Sequence, residues 1–333
     1  MVIPPFLAYD QAMRLRLRPF QTGDRSEAAS REALPFVGVA LVLLVGLAWG
    51  FNWPAIKIAV TEISPWTYRA VSLVVAALGM LGLARARVGR LRLPRREIGP
   101  IAVLALLNVT GFQMLVAFGL GMMEATRGVI LGHTQPLWVV LLSAFILRET
   151  VSGARLWGLL LGLAAMALVI APEARMLGSA PMGAFLVVAA AASWGLGTVL
   201  FKRFDLSLTS VELTAWQLVF GGIPIAVCAL ILDPLPDVSA LSTRTIVAVL
   251  YTAFIAQWLG QWAWFHSLQL LPANVAAIGS LSIPIVGLYA SAVLLEESIT
   301  WIELMALAMV LVALGLVLIG PDGLDALKRR RHK

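Results

Sequence analysis

Ten runs of about twenty mostly apolar residues, joined by short connections, leave this chain few ways to fold. The runs fall at 36–57, 65–84, 98–120, 124–147, 153–171, 180–201, 210–231, 244–268, 272–295 and 300–319. Hydrocarbon offers backbone groups no water, so each run must satisfy its own N–H and C=O groups, and a helix does this within one segment. Hydrophobic residues make up 60% and charged residues 13% of the 333, against roughly 45–50% and 25% in a soluble domain. A soluble fold of this length cannot hide that much apolar surface. The expected class is an all-α integral membrane protein with ten transmembrane helices.

Turn and cap signals mark the breaks: "SPW" at Ser64, "LPRRE" at Leu93, "APEARMLGSAP" at Ala171, "DPLPD" at Asp233 and "LPAN" at Leu271. The net charge of +7 resides in these gaps and in the tails, so it reads as a topology signal and not as a nucleic-acid surface. The N-terminal tail, the second, fourth and sixth connections and the C-terminal tail hold 20 of the 25 basic residues. Only Lys57, Arg69, Arg127, Arg175 and Arg244 fall on or toward the other side. Both termini are therefore expected in the cytoplasm of a bacterium whose plasma membrane the chain crosses. The arginines near the N-terminus follow its short apolar patch, the reverse of a cleavable signal peptide. The single cysteine, Cys228, excludes intrachain disulfides and cysteine-rich metal sites. No nucleotide-binding glycine loop, metal-spaced His/Glu set or oriented nucleophile occurs, so neither an enzyme nor a cofactor is expected.

A shift of 148 positions lays the stretch from Gln113 on the stretch from Gln261 without a gap. Gln113 meets Gln261, Pro136 meets Pro284 and Glu149 meets Glu297. Upstream, "AWGFNW" at Ala48 meets "SWGLGT" at Ser193 with an offset of 145. Each half then has five spans. Five is odd, so the second half must be inverted with respect to the first. Inverted repeats with matched interrupted helices point to a secondary transporter with its site near the bilayer midplane. The divisions are a disordered cytoplasmic tail over 1–34, a first five-helix repeat over 35–172, an inverted second repeat over 173–320 and a basic cytoplasmic tail over 321–333.

With "AWGFNW" in the first span and two Pro-interrupted blocks ending "LRET" and "LEES", the chain resembles the EamA-type exporters of the drug/metabolite transporter superfamily. The resemblance covers roughly residues 36–320. It implies a central cavity between the halves, alternating access, and outward movement of amino acids, related metabolites or toxic compounds. Uptake or exchange of a nucleotide-related or amine solute, or a role as a lipid-intermediate flippase subunit, are the alternatives.

Pro136 and Pro284 are the expected kinks, since neither donates to the carbonyl four residues earlier, on Gly132 and Ser280. His133 and Gln135 lie beside the first kink. An ionisable group at that depth is a functional candidate, and imidazole changes charge near neutral pH. The alternative is a neutral histidine bonded to a neighbouring helix. Asn52, Asn108, Gln113, Gln217, Gln257 and Gln261 are mid-span amides, which suit a polar or zwitterionic solute or tie helices together. Trp49, Trp138, Trp194 and Trp262 lie deep enough to meet a substrate or to pack the core. Trp53, Trp66, Trp157 and Trp301 lie near span ends and read as interfacial anchors. Glu149 and Glu297 fall at span ends, where they can cap the next helix. Arg69 either snorkels outward or meets an anionic group, snorkelling being the preferred reading. No carboxylate sits mid-span, which argues against a buried carboxylate proton relay. The expected partners are a small-molecule substrate and the lipid bilayer, in a monomer or homodimer.

Overall fold

The computed structural model describes residues 36–89, 91–148, 151–177, 182–234, 236–271 and 279–331, with the side chains of 172–177, 265, 269 and 318–331 excepted. All regular structure among them is helical. The first expected span is a pair, α1 (Phe36–Gly50) and α2 (Asn52–Glu62). They part at Phe51 because Pro54 has no N–H for the carbonyl of Gly50. Helix α3 (Pro65–Val88) follows, with the Ser64 hydroxyl accepting from the N–H of Trp66. The third span is α4 (Ile98–Ala105), a π turn (Leu106–Gly111) and α5 (Phe112–Met122). The fourth is α6 (Ala125–Gly132) and α7 (Gln135–Ile146), broken at His133 and Thr134. Then come α8 (Gly153–Leu177), α9 (Met182–Arg203) and α10 (Ser210–Leu232). A second π turn (Tyr251–Leu259) separates α11 (Thr243–Leu250) from α12 (Gly260–Leu270), and α13 (Ser282–Leu295) and α14 (Trp301–Arg331) complete the bundle.

Among the described residues, eight helical stretches are long and apolar enough to cross a membrane: Phe36–Glu62, Pro65–Val88, Arg95–Met122, Ala125–Ile146, Gly153–Ala171, Met182–Arg203, Ser210–Leu232 and Thr243–Leu268. The last two expected spans are represented by shorter apolar helices, Ser282–Leu295 and Trp301–Val317. Residues 272–278 of the ninth, like Glu149 and the tail before Pro35, lie outside the described residues.

Packing has a reciprocal pattern. Helix α3 packs on α10 and α8 on α14; α5 packs on α9 as α12 packs on α1, and α7 on α9 as α13 on α1. The second π turn packs on α3, and the first on α10. The main core lies between these layers and includes Trp53, Tyr68, Leu120, Val129, Ile130, Leu131 and Leu288. Large apolar side chains also cover the outside: Val293 is 77% exposed and Leu230 76%. Such a surface suits lipid and would aggregate in water. Phe36 begins α1 at one end of the bundle, the near end, and Glu62 closes α2 at the other, the far end.

Candidate functional site

The polar side chains within the bundle are tied mainly across its centre, from the first part of the chain to the second. The two π turns supply several of them. A π turn leaves carbonyls poorly aligned with their own helix and often accompanies a functional position. Asn108, in the first turn, donates through Nδ2 to Gln217 Oε1 at 3.2 Å, while its buried Oδ1 has no partner. Gly197 lets the amide approach this closely, since a Cβ there would stand 1.9 Å from Asn108 Oδ1. Thr110 donates to the Gly221 carbonyl at 2.8 Å, and Ser193 to that of Leu107 at 2.8 Å. In the second turn, the Tyr68 hydroxyl donates to Thr252 Oγ1 at 2.8 Å, which donates to Asn52 Oδ1 at 3.0 Å. Trp49 Nε1 donates to the Ala256 carbonyl at 2.9 Å. Gln113 and Gln257 are buried; Gln135 and Gln261 are half-buried.

His133 lies at the break between α6 and α7. Its Nδ1 is 2.7 Å from the Val129 carbonyl, so that nitrogen carries the proton and the ring is held by its own helix rather than by a neighbour. The Trp53 ring stands 5.6 Å away. Trp53 is 7% exposed and fills the space over Gly132, so it is a core residue and not an interfacial anchor. Depth suggested the anchor; the turn of the helix decided otherwise. Trp157 and Trp301 are exposed, as anchors are. Trp194 meets Phe112 edge-on at 4.5 Å, Trp262 stacks on His266 at 5.4 Å, and Trp138 packs its Cβ against Gly195 with its indole N–H buried and unpartnered. The candidate residues thus form several neighbouring groups, and the contacts do not draw all twelve together.

The kinks differ from expectation in one respect. Pro136 and Pro284 occupy the first turns of α7 and α13, where a missing N–H costs nothing. The Ser280 carbonyl, expected to be free, accepts from the N–H of Ile283 at 3.0 Å. The Leu131 carbonyl similarly takes the Thr134 N–H at 3.1 Å and its hydroxyl at 2.6 Å.

Charged side chains at the far end are tied to main-chain groups and to one another. Glu297 does not serve the helix that follows it: its carboxylate accepts from the N–H groups of Ala125 and Thr126 at 2.8 Å each, at the start of α6. Helix α14 is capped instead by Thr300 with Glu303, and Glu303 accepts from Arg127 Nε at 3.0 Å. Lys57 Nζ donates to the carbonyls of Leu120 and Met123 at 2.7 and 2.9 Å, closing α5. A far-end cavity of about 380 Å³ is lined by Glu62, Ser64, Thr67, Asp233, Asp237 and neighbours. A near-end cavity of about 100 Å³ is lined by Ser143, Arg155, Lys202 and four valines. Neither includes the candidate amides. Desolvation pulls the Asp233 carboxyl up, but hydrogen bonds from Thr67 and Ser64 outweigh it and hold the group below the usual carboxylate range. The Ser239 hydrogen bonds hold Asp237 low as well.

One residue escaped the sequence reading, and another departs from its preferred reading. Thr252 joins Asn52 to Tyr68 from within an apolar run, with nothing local to mark it. Arg69 does not snorkel: it is 0% exposed. It lies on the buried stripe with Ser72, Leu73, Ala76 and Met80.

A model of the EamA-like transporter family matches residues 36–171 and 181–319. A protein of Escherichia coli (strain K12) named "Probable amino-acid metabolite efflux pump" is 26% identical over 283 residues, covering 82% of this chain and 92% of that protein. The "Uncharacterized transporter YvbV" of Bacillus subtilis (strain 168) is 28% identical over 288 residues, covering 85% and 92%. A crystal structure superposes with a TM-score of 0.58 at 21% identity, covering 91% of this chain and 100% of that one, and shares the fold.

Proposed function

Because the chain belongs to the EamA-like transporter family and is a membrane transporter, we propose that it is a secondary exporter of amino acids or related small metabolites. It works by alternating access in a bacterial plasma membrane, with both termini cytoplasmic. Ten spans form two inverted five-helix repeats, 35–172 and 173–320, around a central cavity. The observation that carries this reading is that the central polar bonds cross between these halves: Asn108 to Gln217, Trp49 to Ala256, Asn52 and Tyr68 to Thr252. When one half rocks on the other, these bonds must break, and a polar solute between the halves can replace them. Amides, which both donate and accept, suit the two ends of an amino acid.

The inversion is supported by the reciprocal packing and by two clasps. At the far end, Ser242 donates to Glu62 through N–H and hydroxyl at 2.9 and 2.6 Å; at the near end, Ser207 donates to Glu97 at 3.2 and 2.5 Å. Both pairs are related by the 145-residue shift that aligns the first spans of the halves. The substrate class is supported by the name of the E. coli relative.

The test is transport of radiolabelled amino acids by the full chain in proteoliposomes, beside resistance of overproducing cells to toxic amino-acid analogues. Wild-type protein should move at least one amino acid. Asn108→Ala or Gln217→Ala should lower transport roughly tenfold, the scale of losing one buried hydrogen-bond partner, while leaving insertion intact. Failure of every amino acid to move would sink the substrate class.

A further inference from the structure

Among the described far-end charges, every one that is not open to solvent, as the exposed Glu296 is, has a partner, with one exception. Lys57 donates to two carbonyls, Glu62 accepts from Ser242, Glu297 caps α6, Arg127 pairs with Glu303, Asp233 accepts from Thr67, and Arg244 donates to the Leu294 carbonyl. The exception is Arg69. It lies one turn into α3, fully buried, and its Nε and Nη1 have no hydrogen-bond partner. No carboxylate among the described residues forms an ion pair with it. The Tyr68 ring stands 4.9 Å from its Cζ. The adjacent hydroxyls do not help: those of Tyr68 and Thr252 are engaged in the chain to Asn52, and that of Ser72 donates to main-chain carbonyls.

A guanidinium withdrawn from water without a counter-charge is costly, and one this near a helix end could reach the interface by snorkelling. It does neither. We propose that Arg69 is the receptor for the carboxylate of the transported solute, so that the site selects monoanionic head groups. A single unspent cation, with Lys57, Arg127 and Arg244 committed elsewhere, neutralises one negative charge and not the two of a phosphate. The 145-residue shift places the neutral Thr214 at the corresponding position, where its hydroxyl donates to Ser210. The charge therefore stands on one side only and fixes which end of the solute faces α3. This inference rests on the transporter reading above and names the chemistry of its site.

Binding and transport are measured separately. Thermal unfolding of the purified full chain is followed with L-leucine, L-phenylalanine or L-threonine, each beside its amide, and with inorganic phosphate. At least one amino acid should raise the wild-type Tm by roughly 2 °C or more, its amide and phosphate should not, and Arg69→Gln should abolish the shift. Arg69→Lys should keep part of it, with affinity at least about tenfold weaker. Without ligand, Arg69→Gln should unfold no lower than wild type, because an unpaired buried charge has gone. A purely structural arginine would give the opposite, both variants unfolding early. Equal shifts with amides, a shift with phosphate alone, no shift at all, or shifts that survive Arg69→Gln would overturn the assignment. Radiolabelled uptake by the same protein tests transport: uptake without a carboxylate-specific shift leaves the transporter and removes the Arg69 site, whereas a specific shift without uptake leaves the site and removes the transporter reading.

Discussion

At the end of α10, Asp233 accepts the main-chain N–H of Thr67 at 3.1 Å and its hydroxyl at 2.6 Å, fastening α10 to the start of α3. These bonds favour the ionised carboxylate, and the folded-state pKa lies below the ordinary one. The stabilisation is therefore whole above the unfolded value of about 3.9 and is lost as the pH falls through the folded value. Asp233→Asn should lower Tm at pH 7, and the gap to wild type should narrow as the pH is lowered through and below about 4. A gap that stays constant across that range would show that the amide, not the charge, is at issue. At this scale the sequence was half legible. Depth along a helix can be counted from its ends, and His133 and the amides were read from that count alone. Rotation about the helix axis cannot be counted when apolar residues surround the helix on all sides. Trp53 and Arg69 were misjudged for that reason: both lie near a helix end, and both turn inward.

Apolar runs made the helices legible, and prolines made their interruptions legible. The π turns were not: Leu106–Gly111 and Tyr251–Leu259 contain no proline, and what accompanies them is tertiary. Asn108 is received by Gly197, and Val109 by Gly221, both on other helices. The two broken helices carry the prediction that belongs to elements. With alanine at 136 and 284, each new N–H can reach the carbonyl four residues back, fusing α6 to α7 and extending α13 toward its N-terminus. The double substitution should lower transport per inserted molecule at least about threefold, while Tm changes little, since the missing N–H groups cost little in these first turns. Quantifying the protein by immunoblot beside uptake separates the two effects. Unchanged uptake would return both prolines to packing.

For the whole molecule, the distribution of Arg and Lys predicts that both ends of the chain share one compartment. A reporter that fluoresces only in the cytoplasm, fused after Lys333, should be bright, and a periplasm-dependent phosphatase at the same point inactive. The opposite pair of results would refute the orientation. What no reading of hydropathy could supply is which helices meet, because every run is equally apolar. The repeat in the sequence hinted at a pairing; the contacts of α5 with α9 and α1 with α12 specify one.

The two clasps carry an asymmetry of origin. Both carboxylates, Glu62 and Glu97, come from the N-terminal half of the chain, and both serines, Ser207 and Ser242, from the C-terminal half. Two copies of the first half would set acid against acid at both ends, and two copies of the second would set alcohol against alcohol. Descended from a common pattern or not, the halves have become strangers to their own kind: each is completed only by the other, and covalent linkage delivers them in the one ratio that closes both ends.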